Sequence, residues 1–222
     1  IPRTNIELVE AEQTGVNVLN RAAMLASICA MSRSIGVAGT HGKTTTSTML
    51  AHLLNESKLK CNAFLGGIGT NFQSNFVSGD SELTVVEADE FDRSFLQLSP
   101  DIACITSMDS DHLDIYENSE ALDATFSAFA EKVSQTLIVA KGLPLEGLTY
   151  GIDAAADYDA LNIKIESGKY IFDVQTPSSK IENIVFNKSK YNKIVNLSYE
   201  SGKAIRLEDA QGRYSEYLKS TL

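Results

Sequence analysis

The sequence is short of several things, and each shortage removes a class of function. It has only four prolines and no Pro-rich or low-complexity stretch, so no extended linker divides it. Its three cysteines, Cys29, Cys61 and Cys104, are odd in number and far apart, with no C-x-x-C pair to suggest zinc or redox chemistry. They read as small buried apolar residues suited to a reducing compartment. No apolar run approaches the ~20 residues of a membrane helix, and no basic segment followed by an apolar one opens the chain. A cytoplasmic location is therefore expected. Positive charge is scarce: 19 Lys plus Arg face 29 Asp plus Glu, a net charge of −10. A field of that sign disfavours gripping nucleic acid or anionic lipid as a main activity, although backbone N–H groups can still hold a phosphate locally.

What remains is an acidic globular chain of 222 residues, 43% hydrophobic, long enough for one large domain with a real core. Ile1-Pro2-Arg3 contains no initiator methionine, so the expectation is a chain that begins inside a longer polypeptide or has been trimmed. Residues 1–33 read as a connector with one short amphipathic helix, capped by Asn20 and showing Met24, Ile28 and Met31 on one face.

From residue 34 the pattern alternates. Ile35-Gly36-Val37-Ala38 reads as a strand, a glycine-rich turn follows, and Met49, Leu50, Leu53 and Leu54 mark one face of a helix running to Glu56. The runs 83–86, 102–105 and 136–140 read as buried parallel strands. Leu122, Phe126, Phe129 and Val133 lie at helical spacing behind Ser119. This is the signature of an α/β fold, a doubly wound, mostly parallel sheet flanked by helices. Beyond Gly147, Ile163 and Ile165 alternate with charged residues, Ser167-Gly168-Lys169 turns, and 170–174 returns, which predicts a small antiparallel hairpin sheet beside the main one.

Three constellations carry chemistry. Gly39-Thr40-His41-Gly42-Lys43-Thr44, between strand and helix, has the composition of a phosphate cradle. Its glycines let backbone N–H groups converge, the helix N-terminus adds positive potential, Lys43 neutralises phosphate charge and Thr44 can hold Mg²⁺. The strict eight-residue P-loop pattern would need glycine at Val37, so only G-x-x-G-K-T survives. The second, Glu87-Ala88-Asp89-Glu90-Phe91-Asp92, follows a strand at the sheet end that opens on a ligand crevice. Glu87 is placed there to bind a nucleotide-associated metal, whereas Asp89, Glu90 and Asp92 fit a solvated face equally well. The third, Asp111-His112-Leu113-Asp114, follows another strand and offers a second metal site, an oriented imidazole or a bland polar loop. Gly66-Gly67-Ile68-Gly69-Thr70-Asn71, with three glycines in its first four positions, suits either a close approach of substrate or a flexible loop. His52, mid-helix, reads as packing or exposure.

In combination, G-T-H-G-K-T-T-T at 39–46, E-A-D-E-F-D-R-S-F at 87–95 and D-H-L-D at 111–114 resemble the Mur ligase family, over about residues 16–186. The form of the motifs is most similar to the branch that adds L-alanine to UDP-N-acetylmuramate, and to the murein peptide ligases close to it. The resemblance implies an ATP-dependent amide-bond-forming ligase of peptidoglycan synthesis. The muramate carboxylate takes the γ-phosphoryl group of ATP, and an amine then attacks the acyl phosphate.

By the same resemblance Gly39, Thr40, His41, Gly42, Lys43, Thr44 and Thr45 hold ATP phosphates, Thr44 and Glu87 bind one Mg²⁺, and Glu87 with His112 binds a second; Lys43, Glu87 and His112 are the implied catalytic set. Two departures stand out. Many relatives carry asparagine where this chain has Ser107, and the adenine-side H-N-x-x-N segment survives only as Tyr191-Asn192-Lys193-Ile194-Val195-Asn196, one residue out of register, with Asn192 carried over. The lysine that some branches carbamylate has no counterpart between His112 and Glu131, which suits the alanine-adding branch. The resemblance further implies that residues 1–33 end a UDP-sugar-binding domain, that 34–222 form the central ATP-binding domain, and that a C-terminal domain is missing. Such a piece is expected to be inactive alone. The alternatives are a murein peptide ligase, or an ATP-binding module without turnover.

Overall fold

The computed structural model describes Pro2 and residues 4–109 and 119–187. Two short helices open it, α1 (Ile6–Gln13) and α2 (Arg21–Cys29). Then come β1 (Arg33–Ala38), α3 (Lys43–Glu56), β2 (Asn62–Gly69), β3 (Ser74–Val77) and β4 (Leu83–Glu87). A 3-10 turn over Phe91–Gln97 leads to β5 (Ile102–Ile105), α4 (Ser119–Ala130), β6 (Thr136–Ala140) and β7 (Leu148–Ile152). The strands β8 (Tyr158–Glu166), β9 (Lys169–Gln175) and β10 (Lys180–Asn187) complete the described chain.

All ten described strands form one sheet, in the order β10-β9-β8-β7-β6-β5-β1-β4-β2-β3. From β2 to β8 the neighbours run parallel; β3, β9 and β10 are antiparallel to theirs. The expected α/β class is therefore present, and so is the hairpin. It differs from expectation in one respect: β8 pairs in parallel with β7, so the hairpin continues the main sheet and does not form a second one.

The core lies where α4 and the 3-10 turn cover β1, β4 and β5. Phe95 stacks on Phe129 at 4.7 Å between ring centroids and meets Phe126 edge-on at 5.3 Å. The three rings, with Val86, Ile105 and Val139, are essentially excluded from water. A smaller cluster, Ala51, Cys61, Ala63, Leu65 and Val85, lies under α3.

Helix faces depart from the sequence expectation in two places. On α3 the residues against the sheet are Ser47, Thr48 and Ala51. Leu50 and Leu54 flank that contact, and Leu53 is exposed. Small side chains allow the helix to sit close to the strands, a packing that a count of leucines does not reveal. On α2, Asn20 caps as expected, accepting from the Ala23 N–H at 2.7 Å. The predicted face of Met24, Ile28 and Met31 is exposed nonetheless, and Leu25, Ala26 and Cys29 pack instead. Cys61 is also buried and Cys104 is half-buried; all three cysteines are free thiols. Burial lifts the Cys29 and Cys104 thiols to about 11, so they stay protonated at neutral pH. No described helix is long and apolar enough to cross a membrane.

Candidate phosphate and metal site

β1 lies between β4 and β5, the point where the chain stops adding strands to one side and turns to the other. The carboxyl ends of three parallel strands thus converge on one crevice, the usual ligand position in an open α/β sheet. Residues 39–42 leave β1 there and turn directly into α3. Gly39 has φ of +136° and Gly42 +79°. A Cβ on Gly39 would stand 2.1 Å from the Thr106 hydroxyl, so the turn tolerates no side chain at that point.

Residues just beyond β5 hold this turn from beneath. The Thr106 hydroxyl donates to the carbonyls of Ala38 and His41. Ser107 Oγ accepts from the His41 N–H at 2.8 Å and shares a hydrogen bond with the Thr40 hydroxyl at 3.0 Å. Thr40 Oγ1 in turn accepts from the Asp109 N–H at 2.9 Å. Ser107 therefore does the anchoring itself, in the position where many relatives were expected to carry an amide.

Above the turn is a cleft of about 390 Å³, lined by Thr40, His41, Gly42, Lys43, Thr44, Thr45, Glu87 and Asp89. The structure thus brings the expected phosphate residues and the first expected metal acid to one place. Gly39 lies behind the lining, where its carbonyl accepts from Lys43 Nζ at 2.8 Å.

Glu87 ends β4. Its Oε1 accepts from the Thr44 hydroxyl at 2.9 Å, and its Oε2 from the Gly66 N–H at 2.7 Å and the Ser47 hydroxyl at 3.4 Å. Burial holds the Glu87 carboxyl above the usual carboxylate range, only partly offset by the Gly66 N–H, the Thr44 hydroxyl and the nearby Lys43 ammonium. The Gly66 contact answers the open question about residues 66–69. Residues 66–69 belong to β2 and 70–71 turn out of it, so the loop expectation holds only for the last two residues; a Cβ on Gly66 would lie 2.2 Å from Glu87 Oε1.

Thr44 and Glu87 present hard oxygen donors side by side at the cleft, which fits Mg²⁺. Among the described residues no three His, Cys, Asp or Glu side chains group as a metal cage. Mg²⁺ commonly takes one or two carboxylates and completes its shell with phosphate oxygens and water.

Sequence reasoning missed Glu90, leaving it open as part of a solvated face. It is buried, and its carboxylate meets Lys43 Nζ at 2.7 and 2.9 Å. The signal was its place in the acidic motif, three residues past Glu87. Asp89 does face the cleft, and His52 packs edge-on to Phe72. His112, with Asp111 and Asp114, and Asn192 lie outside the described residues.

Residues 37–197 match the Mur ligase middle domain. The chain belongs to the Mur ligase family. A UDP-N-acetylmuramate–L-alanine ligase of Christiangramia forsetii is 45% identical over 198 residues, which are 88% of this chain and 44% of that protein. The chain thus spans less than half the length of that relative. Among solved structures, the UDP-N-acetylmuramate–alanine ligase of Thermotoga maritima shares the fold with a TM-score of 0.69 at 23% identity, covering 90% of this chain and 49% of that one. A MurF ligase of Thermotoga maritima, solved in complex with ADP, gives a TM-score of 0.56 at 19% identity over 74% of this chain and 43% of that one. This Mur ligase chain therefore carries the family's sheet, and its cradle stands at the strand ends where the motifs predicted it.

Proposed function

We propose that the chain is the ATP-binding part of a cytoplasmic ligase that joins L-alanine to UDP-N-acetylmuramate during peptidoglycan precursor synthesis. The observation that carries this reading is the meeting of Thr44 and Glu87 at 2.9 Å beside Lys43, on one wall of a cleft whose other lining is a backbone cradle. The 45% identity to an alanine ligase supports the choice of acceptor. In this reading residues 1–33 connect to a UDP-sugar-binding domain, residues 34–222 form the central domain, and a C-terminal domain completes the amino-acid site.

A free carboxylate is a poor electrophile because its own charge repels a nucleophile. One muramate carboxylate oxygen attacks the γ-phosphorus of ATP, the bond to the β–γ bridging oxygen breaks, and ADP leaves. The resulting acyl phosphate is attacked at carbon by the alanine amine, which loses a proton as inorganic phosphate departs. The N-terminus of α3 and the N–H groups of residues 42–45 orient the triphosphate, and Lys43 offsets charge on the moving phosphoryl group. Thr44 and Glu87 would hold one Mg²⁺, and Glu87 with His112 a second. When bound, these ions neutralise phosphate charge. Asn192 is proposed to contact the adenine.

The test is phosphate release by the intact ligase supplied with ATP, Mg²⁺, UDP-N-acetylmuramate and L-alanine. Release that requires both acceptor substrates is expected, and none above background would overturn the assignment. Replacing alanine by a tripeptide distinguishes the murein peptide ligase reading. Calorimetry with ATP plus an ATPase assay on the present chain identifies a module that binds without turnover.

A further inference from the structure

The pairing of Lys43 with Glu90 concerns the state of the cradle before any nucleotide arrives. Both side chains are largely withdrawn from water, 14% exposed for Lys43 and 6% for Glu90. Glu90 Oε1 accepts from the ammonium at 2.9 Å and Oε2 lies 2.7 Å from it, while the Gly39 carbonyl accepts from the same nitrogen at 2.8 Å. Lys43 lines the cleft and Glu90 does not, so the acid sits behind the lysine and draws its charge away from the face a phosphate would approach.

Glu90 is also firmly seated. Its carbonyl accepts from the Arg93 N–H at 3.0 Å at the start of the 3-10 turn, and that turn is pinned by Phe95 in the core. The backbone that carries the acid is thus fixed, and its carboxylate is buried beside the ammonium. Any phosphate must therefore share or win the ammonium against a resident anion already inside the protein.

We propose that Glu90 is a positioning residue that acts as a resident counter-ion to Lys43. It holds the ammonium against the loop while the cleft is empty and competes with the incoming phosphates for it, so that it restrains nucleotide affinity. The inference rests on the reading of the cleft as a nucleotide phosphate site.

Glu90→Gln keeps the size of the side chain and one acceptor oxygen while removing the charge. The experiment is titration of a fluorescent ATP analogue, with Mg²⁺, into the full chain and its variants. Glu90→Gln is expected to lower Kd by about three- to tenfold, the scale on which one charge-assisted contact is contested. Glu90→Asp, whose shorter arm lengthens the contact, is expected to lower it by about twofold. In a Lys43→Gln background the same Glu90→Gln change is expected to leave Kd unaltered. A merely structural role for Glu90 would weaken binding in either background.

Unchanged or weaker binding by a folded Glu90→Gln variant overturns the proposal. So does tightening that persists without Lys43. If Glu90→Gln does not fold, Glu90→Asp decides: wild-type affinity overturns the proposal and tightening supports it. Failure of the wild-type chain to bind the analogue would sink the nucleotide reading itself, and this proposal with it. Normal wild-type binding with an unresponsive Glu90 sinks this proposal alone.

Discussion

Around β1 the sheet is sealed on both faces: Val37, Val85, Val86 and Ile105 are inaccessible to water. Beyond β7 the same sheet continues with a register shift in each antiparallel pairing, and Ile163 is 38% and Ile165 62% exposed. The strands of the first region pair in parallel and need helices over them; those of the second form hairpins that stand with little cover. The difference teaches where this fold can hold chemistry. A turn that must place Lys43, Thr44 and Glu87 to within tenths of an ångström needs rigid strands beneath it, and only the sealed region supplies them. The hairpin region fixes its own geometry by polar contacts. Asp173 on β9 accepts from Asn162 Nδ2 at 2.8 Å and from the Asn183 N–H at 3.0 Å, at two irregularities in the flanking strands.

The contrast can be broken most severely at Lys43. In the intact ligase Lys43→Ala is expected to reduce phosphate release by roughly three orders of magnitude, since it removes the cation of the cradle. It also strands the Glu90 carboxylate in the interior, so the unfolding midpoint should fall as well.

The next largest effect is on stability. Phe126→Ala should cost about 3–5 kcal/mol by opening a cavity in the three-ring stack, whereas Ile165→Ala should cost roughly 0.5 kcal/mol or less. Equilibrium unfolding in urea measures both, and equal losses would abolish the distinction between the regions.

Gly66→Ala comes third. Its Cβ would press on Glu87 from 2.2 Å, so nucleotide affinity in the presence of Mg²⁺ should drop by about tenfold. Affinity without Mg²⁺ should fall less, and calorimetry with and without the ion reads the gap.

The smallest effect belongs to Asp173→Asn, and it carries a sign in pH. Contacts from Asn162, Asn183 and Lys180 hold the Asp173 carboxyl down at about 2. The stabilisation is present above the unfolded value of about 3.9 and is lost as pH falls through about 2. Wild type should therefore unfold at a higher temperature than Asp173→Asn at pH 7, with the difference shrinking below pH 4 and gone only below about pH 2.

The parts of the molecule legible in the sequence are those where one local pattern suffices. The strands at 35–38, 83–86, 102–105 and 136–140 were visible as short apolar runs, and Phe126 and Phe129 as members of a helical stripe. Lys43, Thr44 and Glu87 were visible because strand, turn and helix occur in the order a phosphate site requires. The strand β2 was not, since its glycines mimic a loop; they are there because Glu87, 21 residues later, needs the room. The exposed face of α2 misled for a related reason, as periodicity reveals that a face exists but not which side of the helix meets the sheet. Glu90 and Ser107 acquire their roles only through partners 47 and 66 residues away, and spacing along the chain has no means of naming such partners.

Glu87 is gripped by side chains of α3 and by the backbone of β2, while the turn itself is laced to residues beyond β5. A protein engineer who transplanted the octapeptide 39–46 onto another strand–helix junction would thus import a sequence without its scaffold. The portable unit is a discontinuous one, requiring Gly66, Glu87, Glu90, Thr106 and Ser107 to travel with it, on three further strands at matching register.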